Sequence, residues 1–365
     1  MVSWRQLLYS LLPKPRVMAA EMGNRVVGDA KAVLVLSQHP NPSFSYYLEE
    51  RLKALKGMPV YIRSLNGVGL EDIDPDRLFV VVCRYIRSRQ LSWLERNAES
   101  LSGVGLFVDD DIAAVIAGPE ASLQYKLRLF MLGIMPLRRL NPLLQVIWAS
   151  TEPLVTAISA QSANVVLMPP IPPVERGELK ESSQLTMGYH ATGVHGREHR
   201  FLVAIVETAM RRYERLHFEV FASGRNAAIW RAADIDPSRL RILPELPWVD
   251  YLSYSGKAQV DIALVPLLPG RANACRADTK RIDVCRLGAA AIFSDTDVFN
   301  RNRQPGELHV KNTREDWLKA IDELVTSSSR RLVAIGATRA SLQQMMSRAD
   351  LQISGLNPSS SELAK

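Results

Sequence analysis

Val260-Asp-Ile-Ala-Leu-Val-Pro266 leads through a short loop into Asn273-Ala-Cys-Arg-Ala-Asp-Thr-Lys280-Arg-Ile-Asp283-Val-Cys-Arg-Leu-Gly288-Ala-Ala-Ala-Ile-Phe-Ser294-Asp295. The first run is apolar and short, so it reads as a buried strand, and 289–293 reads as a second. Between them Lys280, Asp283 and Leu287 recur at helical spacing. One helix face therefore carries a cation and a carboxylate together. Strand, loop, helix and strand within some three dozen residues is the unit from which a parallel sheet is built.

Working outward, the same alternation fills the chain. Strands are predicted over 32–36, 60–63, 78–83, 104–108, 144–148 and 165–168, with helices over 44–56 and 90–100. After Pro169-Pro-Ile-Pro-Pro173 the pattern restarts, with strands over 185–189, 218–221, 240–243, 260–265, 289–293 and 308–310. Helices are predicted there over 198–212, 248–255, 314–326 and 330–351. Strands apolar throughout, separated by helices, belong to sheets covered on both faces. The fold class is α/β, with two Rossmann-like domains facing across a cleft. The expected division is an appended segment 1–30, a first domain 31–168, a linker 169–184, a second domain 185–345 and a tail 346–365 that frays from Ser354. Ligands in such sheets bind beyond the carboxyl ends of the strands. A loop and a helix start beside a parallel strand suit a sugar nucleotide.

Composition narrows the function. The 365 residues are 47% hydrophobic and 23% charged, an ordinary globular balance. The net charge of +7 favours anionic partners. Lys and Arg are scattered and no nucleic-acid-binding motif occurs, so nucleic acid is not expected as a partner. The three Cys form no CxxC pair, which argues against a disulfide frame or zinc site and for a reducing cytoplasm. No apolar run is long enough to span a bilayer. Trp4, Leu7, Leu8, Leu11 and Leu12 make a helical stripe beside Arg5, Lys14 and Arg16. It suits packing on the protein body, docking to a partner, or peripheral contact with the inner face of a membrane. GxSxG, Walker A, HExxH and GxGxxG patterns are all missing.

The second half resembles the glycosyltransferases of the GT-B fold, which use nucleotide-activated sugars. Near the donor their pattern is a strand with Pro, a loop with Asn, a basic residue, then Lys, two residues, an acid, four residues and Gly. Pro266, Asn273, Arg276, Lys280, Asp283 and Gly288 fill those places in order. Tyr189-His-Ala-Thr-Gly-Val-His195-Gly-Arg-Glu198 resembles the Gly-Thr, His, acid element that opens the second domain. Val108-Asp-Asp-Asp-Ile112 and Ser150-Thr-Glu-Pro-Leu154 resemble two elements of the first. Two places depart: Cys275 stands where many retaining members carry a Glu, and Ala191 where a Gly would sit.

The resemblance implies a nucleotide-sugar donor held by Thr192, Asn273, Arg276, Thr279, Lys280 and Asp283, with His195 and Asp110 catalytic. His39, Asn41 and Asp109 would lie on the acceptor side. A fixed cation such as Lys280 stabilises a departing diphosphate without a metal. No metal or other cofactor is expected. Asp109-Asp110-Asp111 also admits other readings: a divalent-cation site of the GT-A kind, or an N-cap for a helix starting at Ile112. The expected activity is transfer of a sugar, with retention, to a glycan or lipid-linked acceptor in surface polysaccharide or glycoconjugate synthesis. A sugar-nucleotide epimerase and a non-catalytic binding partner in an assembly complex are the alternatives.

Overall fold

The computed structural model describes residues 3–18, 30–67, 69–119, 121–173 and 184–356. Its contacts divide the chain into two units. The first comprises Met1–Ile171, Cys275–Ala277 and Ala349–Lys365, the second Pro172–Ala274 and Asp278–Arg348. Each is built on a six-stranded sheet.

In the first unit the strands are β1 (Ala32–Ser37), β2 (Val60–Ser64), β3 (Leu78–Cys83), β4 (Gly103–Val108), β5 (Val146–Ala149) and β6 (Val165–Leu167), in the order β2-β1-β3-β4-β5-β6. In the second they are β7 (Leu185–His190), β8 (Leu216–Phe221), β9 (Leu240–Leu243), β10 (Ile262–Val265), β11 (Ala290–Ser294) and β12 (Leu308–Val310), in the order β12-β11-β10-β7-β8-β9. Every adjacent pair is parallel. The α/β class is as expected.

Burial explains the sequence pattern. Every residue of β3, β4, β10 and β11 is buried, so these central strands are apolar but for the hydrogen-bonded Ser294 that ends β11. The outer strands β2, β6 and β9 are only half-covered, and β2 accordingly carries Tyr61 and Arg63. Gly105 in β4 is required by close approach: a Cβ there would stand 2.1 Å from the Trp148 ring. Gly288 caps the helix Lys280–Leu287 in the left-handed region, at φ 70°. The amides of Gly288 and Ala289 close that cap on the Cys285 and Val284 carbonyls, and the chain turns directly into β11.

Several elements differ from expectation. The helix predicted over 44–56 is two pieces, Pro42–Tyr47 and Glu49–Lys53. That over 90–100 is Ser88–Arg96, and that over 330–351 is Ser328–Ser347. Residues 112–143 hold helical pieces that the periodicity missed: Ile112–Ala117, Leu123–Leu129, a π-turn Phe130–Ile134 and Leu137–Leu140. Each is too short to establish a 3.6-residue period. Residues 354–356 do not fray. Leu356 is buried and the Ser354 carbonyl accepts a hydrogen bond from Trp148 Nε1 at 3.0 Å.

The N-terminal helix Trp4–Leu11 is closed by a capping box between Ser3 and Gln6. Its apolar stripe is split. Leu12 is buried and Leu8 half-buried, whereas Trp4, Leu7 and Leu11 are exposed. Tyr9 donates to Asp111 Oδ2 at 2.9 Å, and the following strand of chain is pinned through Asn141 and Ser162. No helix among the described residues is long and apolar enough to cross a membrane.

Candidate functional site

In each sheet the strand order reverses once, between β1 and β3 and between β7 and β10. Loops leaving neighbouring strands there go to opposite faces, so a crevice opens at their carboxyl ends. The sequence-predicted residues fall at these two places.

In the second unit the loop after β7 carries Thr192 and His195, and the loop after β10 carries Asn273. Glu198, in the first turn of the helix Gly196–Arg212, ties the two. Its Oε1 accepts from the Leu268 amide at 3.2 Å and from Asn273 Nδ2 at 3.4 Å. Asn273 also donates to the Leu268 carbonyl at 2.7 Å. Burial alone would raise the Glu198 carboxyl. The neighbouring His195 ring and the backbone amides outweigh it and hold the group at about 2. His195 Nδ1 lies 3.8 Å from Glu198 Oε2, and its amide donates to Thr192 O at 3.1 Å. Thr192 itself is exposed.

Thr279 holds the N-cap position of the helix Lys280–Leu287 without a side-chain cap, leaving its hydroxyl out of that role. Lys280 reaches back across the switch point, its Nζ donating to the His190 carbonyl at 3.0 Å and lying 3.3 Å from Asp283 Oδ2. Asp283 Oδ1 accepts from Arg286 at 3.1 Å. The expected pairing of Asp283 with sugar hydroxyls therefore competes with two cations of its own helix. Three helix starts lie at the strand ends β7, β8 and β10: Gly196, Gly224 and Lys280. The positive dipole ends of these helices suit an anion. Gly224 takes φ 53°, and Asn226 behind it donates to the Gly193 carbonyl at 3.4 Å.

Arg276 lies in the stretch 275–277 that packs with the first unit, its Nε 3.8 Å from Asp110 Oδ1.

The first unit's switch point holds a cavity of about 210 Å³ lined by Asn41, Ser43, Cys83, Arg84, Tyr125 and Arg128 among others. Arg84 is the residue that sequence reasoning missed. It follows the wholly apolar β3 directly, and a charge at that boundary was the available signal. Its φ of 67° turns the guanidinium onto the acidic triplet, with Nε 2.8 Å from Asp109 Oδ1 and Nη2 3.0 Å from Asp110 Oδ2. Ser43 donates to Asp109 Oδ2 at 2.5 Å and accepts from Arg84 Nη1 at 3.0 Å. Burial, against the pull of Arg84, raises the Asp109 carboxyl. Asp110 is the more exposed of the pair. Asp111 caps the helix Ile112–Ala117 through the Ala114 amide, so the capping reading holds for that residue. Asp109 and Asp110 thus share the Arg84 guanidinium while Asp111 serves as a cap, and no group of His, Cys, Asp or Glu suited to a metal occurs among the described residues.

Asn41 lines the cavity but is also a cap, accepting from Phe44 N and donating to Ser37 Oγ and Gln38 O, each at 3.0 Å. His39 is exposed, edge-on to Phe44 at 4.5 Å. A larger groove of about 930 Å³ lies at the strand starts of β7 to β9, with Thr186, His217, Arg241 and Lys257 on its walls. Its buried carboxylate, Glu219, is held by His190, Tyr254 and Arg241.

Neither the known protein-family models nor the curated proteins contain a match to this sequence. Solved structures do match. Anabaena HepE in complex with UDP and glucose aligns over 87% of this chain and 95% of its own, at 10% identity and a TM-score of 0.54. The OtsA apo structure aligns over 86% and 96%, at 11% identity and 0.53. TarM of S. aureus, bound to fondaparinux, α-GlcNAc-glycerol and UDP, aligns over 77% of this chain at 8% identity and 0.52. The chain spans about half the length of TarM, 55% of it. At such identities the likeness defines the fold: the chain has the fold of the GT-B glycosyltransferases.

Proposed function

We propose that the protein is a glycosyltransferase that holds a nucleotide-sugar donor in its second unit and transfers the sugar to a hydroxyl of a glycan or lipid-linked acceptor. The observation that carries this reading is Lys280 bridging the β7 and β10 sides of the switch point, beside the helix starts at Gly196 and Gly224. HepE, of like fold, binds UDP and glucose, and TarM binds UDP together with glycan-like molecules.

In this reading the bond between the sugar C1 and the diphosphate oxygen breaks, and C1 bonds to the acceptor oxygen. The departing diphosphate gains negative charge, which Lys280 and the helix amides oppose. Exchange of the Nζ bond from the His190 carbonyl to phosphate costs little, because one acceptor replaces another. The acceptor proton needs a base. Asp110, more exposed than Asp109 and fixed by Arg84, fits that role from the acceptor side. Retention follows from the sequence resemblance alone. Cys275 in place of a carboxylate is the observation that favours a second reading, a non-catalytic member that binds the nucleotide and never turns it over.

Calorimetric titration with nucleoside diphosphates, followed by a donor and acceptor panel, tests both. Binding with acceptor-dependent release of nucleotide, persisting in EDTA, is the expected result. Tight binding without turnover across the panel selects the second reading, and no binding of any nucleotide removes both.

A further inference from the structure

The first unit presents an apolar face that no part of the described chain covers. On the N-terminal helix Trp4, Leu7 and Leu11 stand on one side at 65%, 55% and 71% exposure. On the helix Leu123–Leu129 and its π-turn extension, Leu123, Leu127, Phe130 and Met131 share another side at helical spacing, with Leu123 83% exposed. Both helices rest against the helix Ile112–Ala117, so the two stripes flank one short element. Isolated exposed apolar residues are ordinary, but seven large ones on neighbouring helices mark a docking surface.

Charge identifies the occupant. Residues 3–18 contain no Asp or Glu and carry Arg5, Lys14 and Arg16; residues 121–149 contain none and carry Lys126, Arg128, Arg138 and Arg139. Arg5, Arg16, Arg128 and Arg138 are exposed. A second copy of this face would set cation against cation. An anionic bilayer satisfies both features, taking the side chains into its acyl boundary and the guanidinium groups among its headgroups. We infer that this face, formed by the N-terminal helix and the helix Leu123–Leu129 with its extension, seats the protein on an anionic lipid surface. Tyr125 and Arg128 of the second helix also line the 210 Å³ cavity. A headgroup held in that bilayer would meet the cavity at the rim of the face. This last point rests on the proposed transfer, whereas the surface does not.

The test is co-sedimentation of the full chain with phosphatidylcholine vesicles and with vesicles also containing phosphatidylglycerol. Binding to the anionic vesicles that weakens with salt is expected. Leu123→Glu/Leu127→Glu and Trp4→Ser/Leu7→Ser should each lower it at least about tenfold, the change expected for losing the burial of one large apolar side chain. Leu332→Glu/Val333→Glu, exposed on a helix of the second unit, should leave it unchanged. On the unsubstituted protein, brominated phosphatidylglycerol should quench Trp4, read as the difference from Trp4→Phe, which keeps the inference testable if a double variant misfolds. Absence of binding to anionic vesicles overturns it, as does binding that survives both double variants. So does a dimer, seen by sedimentation velocity, that the same variants dissolve without any vesicle binding. Vesicle binding needs no nucleotide, so failure of the transferase reading leaves this outcome readable.

Discussion

Lys280 and Arg281 are adjacent in sequence and opposite in what they do. Lys280 is 37% exposed and ends on a carbonyl that a ligand can replace. Lys280→Ala is expected to weaken nucleotide diphosphate binding about ten- to a hundredfold, the value of a charge-assisted hydrogen bond, and to change stability by less than about 1 kcal/mol. Calorimetry and a urea melt on the same preparation measure the two effects, and unchanged affinity would move the donor site elsewhere. Arg281 is wholly buried. It pairs with Asp278 and, at 2.7 Å, with Glu307, and it lies 4.8 Å from the Phe293 ring centre. Its loss takes the guanidinium from two buried carboxylates, leaving Glu307 to His309 and the Gln304 amide and Asp278 to Asn302. Arg281→Ala should therefore cost about 3–5 kcal/mol in the urea melt. A destabilisation under about 1 kcal/mol would mean that water replaces the guanidinium without cost. The sequence announces Lys280 through its motif. It says nothing of Arg281, because the burial that sets its role comes from Glu307 and the Phe299 carbonyl, 26 and 18 residues away.

At the scale of the element, the helix Gly196–Arg212 joins the site to the core and sets a pH dependence. Its half-buried start carries His195. One turn in, His199 Nδ1 accepts from Trp230 Nε1 at 2.8 Å, which requires the neutral ring. Burial, then the charge of His195, lowers His199 from its ordinary 6.5 to about 4. A folded value below the unfolded one gives stability that is complete above pH 6.5 and lost as the pH falls towards 4. Over that window the loss is about 3 kcal/mol. Glu198, held at about 2 against an ordinary 4.5, adds a second loss below pH 4.5. His199→Asn keeps an acceptor for Trp230 and removes the first window. Its melting temperature should be lower at pH 7, where the ring's edge contacts with Tyr189 and Trp230 are lost. It should then stay flatter than wild type between pH 6.5 and 4. Parallel curves for the two proteins in differential scanning fluorimetry would show that His199 does not titrate there. Long helices and fully apolar strands such as β3 and β10 were legible because their periods extend over enough residues. The short pieces within 112–143, including the exposed helix Leu123–Leu129, were not. Their order comes from packing on the sheet and on one another.

At the scale of the whole molecule, the doubling of a parallel α/β unit could be read from the sequence, and with it the carboxyl ends of the strands where the loops converge. Thr192, His195, Asn273 and Lys280 meet at one switch point, and Asn41, Asp109 and Asp110 meet at the other. Long-range returns of the chain had no local signature. The clearest is the segment after Arg348, which belongs to the first unit although it follows a helix of the second. Ile353 and Leu356 are buried, Gly355 packs on Val146 in the left-handed conformation at φ 89°, and the Ser354 carbonyl takes the indole proton of Trp148, itself fully buried. Asp350 also offsets part of the burial penalty of Arg51, whose guanidinium is lowered to about 10. Ending the chain at Arg348 uncovers two side chains worth about 1.5–3 kcal/mol each, and orphans an indole N–H at a cost of about 1–3 kcal/mol. Allowing for water that enters the gap, the first unit should lose at least about 3 kcal/mol, seen as an earlier urea transition in Trp148 fluorescence. A chain ending at Leu356 keeps every one of these contacts and should match the full protein. Nucleotide binding by the second unit should survive either truncation, which separates loss of this packing from general misfolding. If the chain ending at Arg348 melts with the full-length protein, the segment is a passenger and the core around Trp148 is complete without it.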